Sequence, residues 1–172
     1  MMKANCFSTG NPWAGKKKGP YEYRLCWDDV VYAPGTLKVV TFKGGRKWAT
    51  AIVKTATTPA QRKLQPDRST IQADGRDLSF VTANVADPGG LIVPRAGNRT
   101  HFEIQGPGEI VGTDNRGPTS FELFQSHDCK CFNGLAVVIV RAKPGQPGTI
   151  RLAKGDGRKS GAAAIYTRLE RN

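Results

Sequence analysis

Residues 135–142 read LAVVIVRA, and no other stretch of the chain is as apolar. A short apolar run of this kind is expected for a strand in the middle of a sheet. We therefore predict a central strand at residues 135–142.

The rest of the chain contains several alternating segments separated by turn signals. Residues 78–86 (LSFVTANVA) alternate with a period of two, so Leu78 and Phe80 lie on one face and Val81 on the other. Residues 37–42 and 47–54 flank the hairpin signal Lys-Gly-Gly-Arg. Further strands are predicted at 21–27, 100–105, 109–112, 149–154 and 162–167.

The spacing of these strands favours an all-β sandwich. The chain has 20 glycines and 11 prolines, and turn signals separate most strands by about 8–12 residues. No long segment keeps a helical period, and residues 119–128 could form one helical turn at most. The Thr-rich, proline-containing segment TATTPA divides the chain. We predict one unit at residues 1–56, a linker at 57–60 and a second unit at 61–172.

The chain is a basic protein, with 26 basic residues, 14 acidic residues and a net charge of +12. Such a surface could attract nucleic acid, anionic lipid or an acidic polysaccharide, or could simply be a soluble face. No nucleic-acid module signature accompanies the charge, so no nucleic-acid partner is predicted. No stretch approaches the roughly 20 apolar residues of a membrane span, and residues 1–20 lack the apolar core of a signal peptide. We therefore expect no membrane partner.

The four cysteines do not predict a metal site. Cys129 and Cys131 form a C-x-C pair, whereas zinc sites usually need two C-x-x-C hooks or added histidines at matching spacing. Cys6 and Cys26 could form a disulfide in an oxidising compartment, which leaves the redox state open. No metal and no cofactor are predicted.

Acidic residues were tested for the paired carboxylates that glycosidases use. Asp28 and Asp29 are adjacent, so on a strand they face opposite ways. Glu103 and Glu109 flank a Gly-Pro-Gly turn and could approach each other, and Asp114 lies in a loop. We interpret all of them as turn and surface carboxylates, and we predict no catalytic residue.

Aromatic and basic side chains near the beginning of the chain could bind a sugar. Trp13 lies in a polar, irregular segment and is expected to be exposed, whereas Trp27 and Trp48 lie in strand patterns and are expected in the core. The predicted carbohydrate-binding set comprises Trp13, Lys16, Lys17, Lys18, Tyr21 and Tyr23.

Four motifs, in the same order and spacing, resemble a known family. Residues 27–40 (WDDVVYAPGTLKVV) are followed by a hairpin and VKTA at 53–56. The segments ADGRDLSFV (73–81), GPGEIVGTDNRGP (106–118) and FNGLA (132–136) follow. This series resembles the immunoglobulin-like domains that follow the catalytic barrel in glycoside hydrolase family 2 enzymes, bacterial β-galactosidases in particular.

The resemblance implies tandem immunoglobulin-like β-sandwich units. Residues 7–14 replace a strand and hairpin usual in the family, so the first unit is expected to be incomplete. The family keeps its two catalytic glutamates in the barrel, and nothing here matches that barrel. The implied function is a non-catalytic accessory C-terminal region, not an enzyme on its own. Its partners would be a catalytic barrel or other subunits, with a carbohydrate-binding module for polysaccharide as the alternative. Parent-type enzymes are commonly periplasmic or secreted, but no localisation is assigned to this chain.

Overall fold

The computed structural model describes residues 2–3, 31–154 and 162–169. All regular structure in these residues is β, which confirms the predicted all-β fold class. Contacts divide the chain into two compact units, Met1–Thr55 and Ala56–Asn172. Contacts within the chain do not test whether each unit folds by itself, so the predicted domains at 1–56 and 61–172 stay a prediction.

The described part of the first unit is a three-stranded sheet in the order β1-β2-β3. Its strands are β1 (Met2–Lys3), β2 (Thr36–Lys43) and β3 (Arg46–Lys54). The turn between β2 and β3 has φ of 56° at Gly44 and 73° at Gly45. Two consecutive residues with positive φ are typical of a type I′ hairpin turn, and glycine adopts that conformation without strain. The predicted hairpin is therefore present.

Strand β3 is exposed along its whole length. Trp48 is 69% exposed, so the prediction that it lies in the core is wrong. Its ring instead lies 4.6 Å from the ammonium nitrogen of Lys43. Alternation in a sequence predicts that a strand has two different faces, but a face is buried only when a second layer packs on it. The described residues of this unit form one sheet only, so Trp48 stays exposed.

The second unit is a sandwich of two sheets with strand orders β4-β6-β10-β8 and β5-β12-β11-β7-β9. Strand β10 lies between β6 and β8, so the predicted central strand is confirmed. The described residues of this unit form the strands β4 (Gln61–Pro66), β5 (Thr70–Gln72), β6 (Leu78–Ala86), β7 (Arg99–Gln105), β8 (Gly108–Asp114), β9 (Asp128–Lys130), β10 (Leu135–Ala142), β11 (Gly148–Lys154) and β12 (Ala163–Arg168).

The core of this unit lies between the inner faces of the two sheets. Every second residue of β6 and β10 is buried there, including Val81, Val138 and Val140 at 0% exposure. The five-stranded sheet contributes large side chains from the opposite side, among them Phe102 and Leu152. The period-two pattern thus assigned the inner and outer faces correctly.

Three local expectations differ from the structure or fall outside it. No helical turn forms within residues 119–128, where turns lead into β9 instead. The short strands β5 and β9 were not predicted, because three residues are too few to show a period. The predicted strand at 21–27 lies outside the described residues. Among the residues that are described, none forms a helix long and apolar enough to cross a membrane.

Candidate functional site

All six residues of the predicted carbohydrate-binding set lie outside the described residues. Trp13, Lys16, Lys17, Lys18, Tyr21 and Tyr23 fall in the segment 4–30. Cys6, Cys26, Asp28 and Asp29 belong to the same segment. The carbohydrate-binding set therefore stays a prediction.

The carboxylate of Asp77 fixes the turn that precedes β6. It accepts a hydrogen bond of 2.8 Å from the backbone N–H of Gln72 and another of 2.9 Å from that of Leu78. The guanidinium of Arg68 donates to it as well, at 2.8 Å. The pKa of Asp77 lies below its usual value, mainly because the Gln72 N–H stabilises the ionised carboxylate. The hydrogen bonds from Arg68 and Leu78 lower the pKa further, by smaller amounts.

Asp87 and Asp74 also accept backbone hydrogen bonds, Asp74 within the same turn before β6 and Asp87 after that strand. Asp87 accepts backbone N–H donors from Thr57 at 3.0 Å and Leu91 at 2.9 Å, and these two bonds lower its pKa. Asp74 accepts the N–H groups of Asp77 and Arg76, both at 2.8 Å, which also lowers its pKa. A glycosidase acid needs a raised pKa to stay protonated at neutral pH, so the chemistry of these carboxylates suits backbone binding instead.

The structure does not bring Glu103 and Glu109 together as a catalytic pair. Glu103 lies on β7 of the five-stranded sheet, whereas Glu109 lies on β8 of the four-stranded sheet. Glu109 instead accepts a hydrogen bond of 2.8 Å from Arg141 Nε, and the same carboxylate oxygen lies 2.7 Å from Nη2 in an ion pair. Asp114 accepts the backbone N–H of Asn115 at 2.7 Å, as a turn residue does.

Cys129 and Cys131 are both free thiols in the core, 2% and 3% exposed. Burial, followed by the nearby charge of Glu122, raises the pKa of Cys129 to about 12. Burial also raises the pKa of Cys131. The thiolate is the form that binds metals and attacks electrophiles, so a raised pKa disfavours both reactions at these two thiols. Among the described residues, no group of three or more potential metal ligands was found.

The loop between β8 and β9 is held by polar contacts on its inner side. The Asn115 amide donates to the carbonyl of Lys130 at 2.6 Å, and Glu122 accepts the Lys130 N–H at 2.9 Å. The backbone N–H of Thr113 donates to the carbonyl of Phe124 at 2.6 Å. Arg99 adds an ion pair with Glu122 at 3.3 Å. These contacts fix the loop at both ends and in the middle.

The same loop presents large apolar side chains to solvent. Phe121 is 97% exposed, Leu123 is 80% exposed and Phe124 is 55% exposed. Three such side chains on a pinned loop are unusual on a soluble surface. Sequence reasoning missed these side chains. The run SFELF at residues 120–124 follows the turn residues Gly117 and Pro118, and apolar residues in such a turn segment could have indicated exposure.

The loop aromatics continue onto the outer face of the four-stranded sheet. The register places Phe80 beside Ile139 and Ile139 beside Gly112. Gly112 has no side chain, and the ring of Phe124 lies where its Cβ would point. An apolar row therefore crosses three strands and reaches the loop. We use the name apolar patch for this row together with the exposed side chains that flank Phe124 in the loop sequence; the sheet contributes Phe80, Val137 and Ile139, and the loop contributes Phe121, Leu123 and Phe124.

With this geometry established, comparison with known proteins places the chain in a family. Residues 63–163 match the family described as glycoside hydrolase family 2 C-terminal domain 5. Residues 5–49 match a domain of unknown function, DUF4982. The first match spans more than half of the chain, so the chain belongs to the glycoside hydrolase family 2 C-terminal domain 5 family, which confirms the predicted resemblance.

Three individual relatives carry a similar segment. The β-galactosidase BoGH2A of Bacteroides ovatus is 38% identical over 146 residues, which is 85% of this chain and 17% of the relative. A family 2 member from Bacteroides cellulosilyticus has a TM-score of 0.74 at 30% identity, covering 81% of this chain and 18% of that one. A family 2 β-glucuronidase has a TM-score of 0.70 at 26% identity, covering 85% and 15%. The chain thus spans less than a fifth of each relative.

Proposed function

We propose that this chain is a non-catalytic accessory C-terminal region of a β-galactosidase-like family 2 glycoside hydrolase. The observation that carries the proposal is its place in the relatives. A segment like it occupies 17% of BoGH2A, and the match covers 85% of this chain. On this proposal, its partner is the catalytic barrel of the parent enzyme or another subunit.

The chemistry of the described carboxylates supports a non-catalytic role. Asp74, Asp77 and Asp87 accept backbone hydrogen bonds that lower their pKa. Glu109 is paired with Arg141. These acidic groups hold turns and strands in place, and the lowered pKa of the three aspartates is the opposite of what a proton donor to a leaving group needs.

Sugar specificity is expected to reside in other parts of the relatives. One relative is named a β-galactosidase and another a β-glucuronidase, yet both carry a segment like this chain. Because a shared segment accompanies two different sugar names, it is a poor candidate for the element that selects the sugar. This supports an accessory role, although fold similarity by itself does not establish function.

The test is an assay of the purified 172-residue chain with nitrophenyl β-galactoside. We expect no nitrophenol release above that of buffer, and measurable turnover that survives repurification would overturn the proposal. The DNA around the coding sequence gives a second check. An in-frame or adjacent family 2 catalytic region is the expected finding.

A carbohydrate-binding module is the second candidate. Its support is the exposed Trp48 ring beside Lys43, because sugar rings stack on exposed aromatic faces. Affinity electrophoresis through polysaccharide gels tests it. Retardation that is lost in Trp13→Ala or Trp48→Ala would favour the module, and unchanged mobility in every polysaccharide would remove it.

A further inference from the structure

We propose that the apolar patch of the second unit is the surface by which this region docks onto the catalytic part of a family 2 glycoside hydrolase. The inference rests on the accessory function proposed above and adds to it a specific face and a specific chemistry of the partner. That partner surface is expected to be apolar, with few charges of its own.

The first step is the continuity of the patch. Phe80 and Ile139 are cross-strand neighbours, and Phe124 lies over Gly112 on the next strand. Phe80 is 42% exposed and Phe124 is 55% exposed, so the row is open to solvent. Contiguous exposed apolar surfaces of this kind mark interaction sites, whereas single exposed apolar residues are ordinary.

The second step is that the loop tips are held in place before any partner binds. Glu122 lies between Phe121 and Leu123, and its carboxylate is fixed by the Lys130 N–H and by Arg99. A pinned loop loses little conformational entropy on docking. Holding Phe121 at 97% exposure on such a loop gives no stability to the isolated unit, but it suits insertion into an apolar recess.

The third step is the charge around the patch. The chain carries a net charge of +12, yet Arg141, the cation on β10 beside the patch, is paired with Glu109, and Lys63 lies on the edge strand β4 of the same sheet. A surface that binds a polyanion, such as an acidic polysaccharide, is instead expected to present uncompensated cations to its ligand. Apolar side chains with paired charges instead resemble the core of a permanent interface.

The fourth step identifies the occupant. In BoGH2A the matching segment is 17% of the protein, so most of that polypeptide lies outside the region shared with this chain. A covalently joined neighbour is always present at high effective concentration, which favours it over a second copy or a free ligand. The patch is therefore assigned to the catalytic part of the same polypeptide.

The main experiment uses a chimera of BoGH2A in which the matching segment is replaced by this chain. Hydrogen exchange is measured in the chimera and in the isolated chain. We expect the peptides that contain Phe80 and Phe121–Phe124 to exchange at least about tenfold more slowly in the chimera. Equal exchange in both proteins would overturn the inference.

A matched pair of variants tests the chosen face. Phe121→Ser with Leu123→Ser removes the loop tips, and Tyr166→Ser with Leu169→Ser removes exposed apolar side chains, 55% and 54% exposed, from another part of the unit. Only the first pair should abolish the protection in the chimera and increase proteolytic release of the grafted region. The opposite result would assign docking to another face.

Galactosidase activity of the chimera separates this inference from the proposed function. An active chimera with no protected patch contradicts the inference but keeps the function. An insoluble or inactive chimera contradicts the proposed function. The face is then tested by mixing the purified chain with BoGH2A that lacks the matching segment. Binding that weakens at least about tenfold in the loop-tip variant alone supports the inference; no binding, or equal binding by all variants, overturns it.

Self-association is the remaining alternative. Light scattering should show the isolated chain as a monomer at micromolar concentration. A dimer that the loop-tip variant dissociates would overturn the inference and assign the patch to a second copy of this chain.

Discussion

The two outer faces of the second unit share one core but differ in chemistry. The outer face of the five-stranded sheet is mainly polar and charged, whereas that of the four-stranded sheet carries the apolar patch. Exposed residues of the first face are Arg99, His101, Glu103, Gln105, Thr149, Arg151, Tyr166 and Arg168. The same sandwich therefore presents one face suited to water and one suited to a partner.

This difference indicates that two kinds of burial must be distinguished: burial in the core of the sandwich, and burial against a partner that docks on its outer face. The inner faces are apolar because they make the core. The fold of the sandwich does not explain why the patch is apolar. Phe121, for example, is 97% exposed, so its side chain is not buried by the fold of this unit. The following predictions test that separation, beginning with the largest effect.

The largest effect is expected at Phe102, which is fully buried between the sheets. Phe102→Ala should lower the free energy of unfolding by about 3–5 kcal/mol, because it leaves a cavity in a packed core. Urea denaturation measures the change. The matched control is Phe121→Ala, where the same residue type is exposed and the change should stay within about 0.5 kcal/mol. Similar losses at both positions would remove the contrast between core and patch.

The next effect is expected at Gly112, where a side chain would collide with the Phe124 ring. Gly112→Val should displace that ring, open the loop and cost about 1–3 kcal/mol through overpacking. Chymotrypsin, which cleaves after aromatic residues, should then cut the loop faster. In the control Gly97→Ala, the new Cβ would find its nearest neighbour, Lys130 Cε, at 3.5 Å, so cleavage should not change. Unchanged cleavage in Gly112→Val would show that Phe124 does not anchor the loop.

A smaller, pH-dependent effect is expected at Asp87. Its folded pKa is lowered by the N–H groups of Thr57 and Leu91, so the ionised form stabilises the fold above the unfolded pKa of about 3.9. That stability is lost as the pH falls through the lower folded pKa. Asp87→Asn should lower the melting temperature at pH 7 by about 5 °C, a difference that narrows in acid. Glu103→Gln, on the exposed face, should change little at any pH. A difference that widens in acid would contradict the lowered pKa.

The smallest effect is expected for the ion pair between Glu109 and Arg141. Both side chains are partly exposed, at 46% and 43%, so Glu109→Gln should cost about 0.5 kcal/mol or less. Added salt should reduce this cost further, as urea denaturation at low and high salt would show. A large, salt-independent cost would mean that the pair supports the fold rather than neutralising the rim of the patch.

Much of the strand pattern was predictable from local sequence. Residues 78–86 and 135–142 form strands with the predicted bounds, because the first segment alternates over nine residues and the second is an apolar run of strand length. The hairpin at Gly44 and Gly45 was predictable because only certain residues tolerate positive φ. Strands β5 and β9 were missed because three residues carry no measurable period.

The site was less predictable than the fold. Trp48 was placed in the core because its strand alternates, but it is 69% exposed. Glu103 and Glu109 are close in sequence, yet their strands belong to different sheets. The loop aromatics were not recognised, because a loop has no period from which to read the direction of a side chain. Contact between elements, rather than local pattern, determines each of these outcomes.

The sequence by itself determined the all-β class, the two faces of the long strands and the family, because alternation, turn residues and motif order are local properties of the chain. The tertiary structure alone decided which outer face stayed apolar. Phe124 contacts Gly112 only because the loop folds back over β8. Phe80 belongs to the same surface only because Ile139 on β10 lies between Phe80 and Gly112 in the sheet. Such surfaces depend on pairing register, which no single segment contains.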